Sequence, residues 1–152
     1  MSPENHHSLA QNALILGGGS GIGRAVALKL VEQGIKVAIS GRRETSLKET
    51  ISLHQHNSSN SKEILSHTSD ITERESLKHL FEWYDQTIGS LDILIHASGI
   101  NLPNRNIDEL LPSEWDCLIN TNLTGSFNIL KLALERMPVS YTHLTLPTIL
   151  RV

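Results

Sequence analysis

The chain has 152 residues, 39% hydrophobic and 19% charged, with a formal net charge of -3. That length is enough for one domain with a real core. The charge excludes a basic nucleic-acid footprint, no apolar run approaches bilayer-spanning length, and a single cysteine, Cys117, excludes an internal disulfide framework. The start, Met1 to Asn12, is a polar lead-in with no apolar segment ahead of a cleavage site, which argues against a signal peptide. The expectation is a cytoplasmic protein with no nucleic-acid or membrane partner. His6 and His7 read as a solvated tail, and His54, His56 and His67 share no ligand geometry, so no metal is expected.

The first predicted element is a buried strand, Ala13 to Leu16, read from a continuous apolar run. Gly17-Gly18-Gly19-Ser20-Gly21-Ile22-Gly23 comes next, and a helical pattern begins at once, with Ile22, Val26, Leu30 and Val31 as its stripe and Gly34 as its stop. A strand, a glycine turn and a helix in that order can cradle a pyrophosphate. The glycines admit bare backbone N–H groups, and the helix turns its positive end toward the ligand. Gly17 makes the turn, Gly21 permits close approach and Gly23 lets the helix pack on the strand. A flexible loop with no ligand is the alternative.

Ile35 to Ser40 reads as a second strand, ended by Gly41-Arg42-Arg43. A helix over 44–56 turns Leu47, Ile51 and Leu53 inward, and Asn57 to Ser61 is a polar loop. Glu63 to His67 is a third, weaker strand. Thr72 and Glu75 have the spacing of a capping box, so a helix starts there with Leu77, Leu80, Phe81 and Tyr84 inside and ends at Gly89. Leu91 to Ala97 is a fourth strand, and Ser98-Gly99 turns the chain into a loop through Pro103 and Asn106. Ser113 then caps a long helix from Glu114 to Met137, with Trp115, Leu118, Ile119, Leu123, Phe127, Leu130 and Leu134 inside and Cys117 as a small packing residue.

Strands alternating with helices imply a Rossmann-type, doubly wound α/β fold with a parallel sheet. Right-handed crossovers give the strand order 3-2-1-4, and the chain stops after the fourth β-α unit. Ligands bind such sheets beyond the carboxyl ends of the strands, which gathers Gly17–Gly23, Arg42, Asp70 and Ala97–Gly99 at one crevice. An acid after the second strand would suit the ribose of NAD; two arginines, Arg42 and Arg43, suit a 2′-phosphate, so NADP(H) is preferred over NAD(H). The bland alternative is a solvated basic pair. Asp70 either accepts from an adenine amino group or caps the segment near Thr72; both readings stay open.

Gly17 to Gly23, Asp70-Ile71, the run Leu91 to Ile100 and Asn120-Thr121-Asn122-Leu123-Thr124-Gly125 together resemble the short-chain dehydrogenase/reductase family over about residues 10–137. The resemblance implies that Gly17, Gly19, Ser20, Gly21, Ile22 and Gly23 hold the cofactor pyrophosphate. It sets Asp70 and Ile71 against adenine, and Ala97, Ser98 and Gly99 beside the cofactor. It makes Asn122 the asparagine whose backbone serves a proton-relay water and the catalytic lysine. Hydride transfer between NADP(H) and a small-molecule carbonyl or alcohol is implied, 3-oxoacyl-acyl-carrier-protein reduction being one candidate, with a homo-oligomeric parent. Two residues depart from the family's pattern. Leu16 stands where threonine is usual, and His96 stands where the first asparagine is usual; His96 reads as a hydrogen-bonded core residue in a changed brace between strands 1 and 4.

The family's serine and Tyr-x-x-x-Lys are missing: Tyr141 has Thr145 four positions on, and no lysine comes after Lys131. Residues 139–148 resemble a translated sequencing adapter. The organisation is therefore read as a lead-in over 1–12, an incomplete NADP-binding domain over 13–137 and an artefactual tail over 138–152. This chain alone is expected to be inactive, and its apolar edge Ile93-Leu94-Ile95 is expected to promote association. A non-catalytic dinucleotide-binding regulator is the alternative function, and a non-functional fragment the blandest one.

Overall fold

A computed structural model describes residues 12–57, 63–103 and 106–137. The readings of the lead-in to residue 11, of the loop at Ser58 to Ser61 and of the tail with Tyr141 lie outside the described residues. Elements alternate as β1 (Asn12–Leu16), α1 (Gly21–Glu32), β2 (Lys36–Gly41), α2 (Glu44–Asn57), β3 (Ile64–Thr68), α3 (Arg74–Thr87) and β4 (Ile93–His96). After them come α4 (Pro112–Ile119), a π-helical turn (Asn120–Thr124) and α5 (Gly125–Leu134). The four strands form one parallel sheet in the order β3-β2-β1-β4. This is the Rossmann-type arrangement that the alternating pattern predicts.

Alternation along the central strands divides the core. Leu14, Leu16 and Ala38 pack on α3 and α5 through Leu77, Leu80, Phe81, Tyr84, Ile129 and Ala133. Ile15, Val37 and Ile39 pack on α1 and α2 through Ala27, Val31 and Leu47. β1 is apolar on both sides because it lies between two strands and two helical layers. Register then aligns the strand ends: Leu16 is opposite Ser40 and His96, and Gly41 is opposite Thr68. The segments after all four strands leave from one end of the sheet.

Several expectations are corrected. Ile22 is 70% exposed instead of lying on the inner stripe of α1, whose buried residues are Gly23, Ala27 and Val31. Leu53 is exposed, and Thr50 and His54 are the buried polar residues of α2. Thr72 and Glu75 form no capping box: the Thr72 N–H and hydroxyl both donate to Asp70 Oδ1, and α3 begins two residues later. Ser113 is not the cap of the long helix. Pro112 occupies the first turn, where its missing N–H costs nothing, and Glu114 accepts from the Leu111 N–H at 3.0 Å. Cys117 is exposed rather than packed.

The long helix runs from Pro112 to Leu134 with a π turn at its centre. A π turn inserts an extra residue into the helical ladder and rotates the remainder of the helix about its axis. The inner face combines Ile129 with small and polar residues, Thr121, Gly125, Asn128 and Ala133, all buried. Trp115, Leu123, Phe127 and Leu134 face outward. Gly125 lies so close to Ile71 that an added Cβ would be 3.1 Å from its side chain.

Phe81 is fully buried, with the Arg136 guanidinium 5.1 Å from its ring centre. Phe81→Ala should lower unfolding free energy by about 3–5 kcal/mol, as removal of a buried aromatic does, read from the urea midpoint at constant slope.

Candidate functional site

The strand ends enclose a cleft of about 740 Å³. Gly17, Gly19, Ser20, Gly21 and Ile22 line it from the turn after β1. Arg42 and Arg43 line it from the end of β2, Asp70 and Ile71 from the segment after β3, and Ala97, Ser98 and Gly99 from the turn after β4. The sequence-predicted residues therefore meet at one place. Gly23 and Asn122 stand behind the lining. Sequence reasoning gives no site role to Ser46, Leu47, Ile100 or Thr121, which also line the cleft.

The turn is held by backbone. The N–H groups of Gly17 and Gly18 both donate to the Ser40 carbonyl, at 2.7 and 3.1 Å, and Ala97 N–H donates to the Leu16 carbonyl at 2.8 Å. Gly17 adopts φ +83°, and a Cβ there would be 2.7 Å from the Ala97 carbonyl carbon and the Ser98 nitrogen. A Cβ on Gly23 would run into the Gly17 carbonyl. These two positions admit only glycine, the first for its angle and its contact, the second for its contact.

Asp70 is engaged locally and also lines the cleft. Its Oδ1 accepts from Thr72 N–H at 2.9 Å and from Thr72 Oγ1 at 2.8 Å, a local turn of the kind short acids favour. Arg42 and Arg43 are exposed at the rim, and among the described residues neither pairs with a carboxylate. The nearest acid in sequence, Glu44, pairs with Lys48 at 2.8 Å, and that contact holds its carboxyl below the ordinary value.

Beyond β4 the loop is fastened by Asn122. Its Nδ2 donates to the Ile100 carbonyl and its Oδ1 accepts from the Ile100 N–H, both at 2.9 Å. The π turn presents Asn122 to the loop and Thr121 to the cleft. His96 continues this brace. Its Nε2 is 2.8 Å from Ser126 Oγ, and Ser126 Oγ donates to the Asn122 carbonyl at 2.6 Å. A carbonyl cannot donate, so the single hydroxyl proton is committed to Asn122, and His96 Nε2 must carry the proton it shares with Ser126. Its Nδ1 is buried without a partner among the described residues, and burial holds the His96 pKa below its ordinary 6.5. His96 is thus a hydrogen-bonded structural residue, and the brace runs from β4 to α5. Ser126, four residues after Asn122 on the same helical face, is legible only through that spacing.

The family model for short chain dehydrogenases matches residues 11–142. The chain belongs to the short-chain dehydrogenase family. An uncharacterized oxidoreductase of Staphylococcus aureus strain MRSA252 is 34% identical over 125 residues, covering 82% of this chain and 52% of that protein. A short-chain type dehydrogenase/reductase from Mycobacterium ulcerans superposes with TM-score 0.78 at 28% identity, over 84% of this chain and 46% of that one. The F189W actinorhodin polyketide ketoreductase, solved with NADPH, superposes with TM-score 0.76 at 27% identity, over 84% and 47%. The chain spans about half the length of these relatives. The family's enzymes are oxidoreductases that use nicotinamide dinucleotides. Among the described residues no helix is long and apolar enough to cross a membrane, and no group of three or more His, Cys, Asp or Glu is placed to hold a metal.

Two outcomes test this geometry. Because folded His96 resists protonation that the unfolded chain accepts below about 6.5, acidification through that value favours unfolding. The wild type should lose stability relative to His96→Gln as pH falls below about 6.5, monitored by urea titration at stepped pH; parallel profiles would contradict the buried neutral imidazole. Gly23→Ala should cost about 1–3 kcal/mol by overpacking the turn, measured the same way.

Proposed function

We propose that residues 13–137 form the dinucleotide-binding part of a short-chain reductase that prefers NADP(H) to NAD(H) and acts on a small-molecule carbonyl or alcohol. The observation that carries the preference is the pair Arg42 and Arg43, unpaired with acids among the described residues and lining the same cleft as the glycine turn. A guanidinium matches phosphate oxygens with two donors at once. An acid at that strand end would instead repel a 2′-phosphate.

The residues present fit a dinucleotide. The turn offers backbone N–H groups beside the start of α1, where the helix dipole favours negative charge, and Gly17 and Gly23 keep the floor free of side chains. In this reading Gly17, Gly19, Ser20, Gly21, Ile22 and Gly23 build the pyrophosphate site, and Arg42 and Arg43 take the 2′-phosphate. Asp70 and Ile71 border adenine, and Ala97, Ser98 and Gly99 form the wall opposite. When bound, the nicotinamide would supply or accept the hydride. Asn122 would serve proton relay through its backbone, while its side chain keeps the loop at Ile100 in place. The chain contains no Tyr-x-x-x-Lys, so the 152 residues alone bind cofactor without turnover. A 3-oxoacyl-acyl-carrier-protein type of substrate is one candidate for the whole enzyme. A cytoplasmic parent belongs to the same reading, as does a homo-oligomeric one, for which the outward apolar residues Trp115, Leu123, Phe127 and Leu134 offer a contact surface.

Titrating the chain with NADPH and NADH, monitored by nicotinamide fluorescence, tests the proposal. NADPH should bind more tightly, and Arg42→Ala/Arg43→Ala should weaken NADPH by about tenfold or more while leaving NADH within about twofold, as expected for lost charge-assisted bonds. Tighter binding of NADH by the wild type would overturn the preference.

A further inference from the structure

Arg24 and Thr50 lie outside the cleft lining, yet both reach the glycine turn from behind. Arg24, in the first turn of α1, donates through Nη2 to the Gly19 carbonyl at 2.5 Å and to Glu49 at 2.9 Å, with a longer 3.4 Å contact to the Ser46 carbonyl. Its Nε donates to Thr50 Oγ1 at 3.0 Å. Thr50 is fully buried in α2, and its hydroxyl lies 3.0 Å from the Gly18 carbonyl and 3.2 Å from the Ser46 carbonyl, either of which can take its one proton. Arg24 thereby engages the Gly19 carbonyl, and Thr50, at the shorter of its two contacts, the consecutive Gly18 carbonyl, both from side chains outside the cleft lining.

Peptide geometry carries this to the other side of the turn. In a trans peptide the C=O and the next residue's N–H point in opposite directions, and there are no cis bonds among the described residues. Holding the Gly18 carbonyl back turns the Gly19 N–H forward, and holding the Gly19 carbonyl back turns the Ser20 N–H forward. Gly19 and Ser20 line the cleft, and among the described residues neither N–H has a protein acceptor. Two such donors beside a helix start are suited to an anion.

We propose that Arg24 and Thr50 are positioning residues, which fix the peptide planes of the glycine turn so that the Gly19 and Ser20 N–H groups are aimed at the cofactor's pyrophosphate. The proposal rests on the dinucleotide reading of the cleft. Arg24 acts through the turn without touching the ligand, and Thr50 couples the turn to α2, whose first residues come directly after the Arg42-Arg43 pair.

The test uses the full chain and two ligands: NADPH, and adenosine 2′-phosphate, which has the 2′-phosphate end but no pyrophosphate. Arg24→Met keeps the aliphatic stem and removes the donors; Thr50→Val is near-isosteric and removes the hydroxyl. Each should raise the NADPH Kd by about tenfold and leave adenosine 2′-phosphate within about twofold, and Arg24→Lys should recover part of the NADPH loss. An unchanged NADPH Kd in a folded variant, or equal losses for both ligands, would overturn the inference. If Arg24→Met does not fold, Thr50→Val decides by the same criteria. A wild type that binds no NADPH defeats the dinucleotide reading itself, whereas wild-type binding with indifferent variants defeats only the positioning role.

Discussion

The structure depends on backbone meeting backbone at the end of β1. Gly17 sits against the peptide between Ala97 and Ser98, and the Gly17 carbonyl sits against Gly23. Through these contacts the first strand, the fourth strand and the first helix converge with no side chain between them. The Ser40 carbonyl completes the junction by accepting from Gly17 and Gly18, so the second strand is fixed to the same point. The glycine turn, the Arg42-Arg43 pair and the Ala97–Gly99 wall of the cleft are carried on segments leaving this junction. A Cβ at either glycine would separate the elements that bring the cleft walls together.

Around that junction the side chains divide into two kinds. At the rim of the cleft, Arg42 and Arg43 are exposed and pair with no acid among the described residues. Those behind it pair with one another: Arg24 with Thr50, Asn122 with Ile100, and His96 through Nε2 with Ser126. Polar groups set back from a site are costly unless paired, and here the pairing also orients the backbone. The brace from His96 to α5 takes the place of a direct tie between the facing residues Leu16 and His96.

Much of this is legible in the sequence because strand and turn signals are local. Continuous apolar runs mark β1, β2 and β4, and the glycine spacing marks the cradle, so strand order and the gathering of Arg42, Asp70 and Gly99 come out of topology. Hydrophobicity is a poor guide to the inner face of the long helix. Close packing on the sheet uses Thr121, Gly125, Asn128 and Ala133, while the large residues Trp115, Leu123 and Phe127 face away. The π turn compounds this, since no residue pattern announces a shift in helical period. Arg24 gives no sequence signal because its partners are backbone carbonyls, a hydroxyl and a surface acid, and Ser126 gives only its four-residue spacing from Asn122, its histidine partner being far away in the chain.

The position of β1 also bears on how the chain acquires its shape. β1 pairs with β4 across a separation of about 80 residues, as the Asn12–Asp92 contact records. On a ribosome, β1 and β2 can pair early, but the other side of β1 waits until β4 emerges. Non-local parallel pairing of this kind slows folding and leaves an apolar strand edge open in the interval. The nascent chain therefore passes through a stage in which Ala13 to Leu16 offers a free edge to any neighbour, and arrival of the Ile93–His96 segment both closes that edge and completes the wall of the cleft. Closing the free edge of β1 and bringing the Ala97–Gly99 wall to the cleft are the same late event.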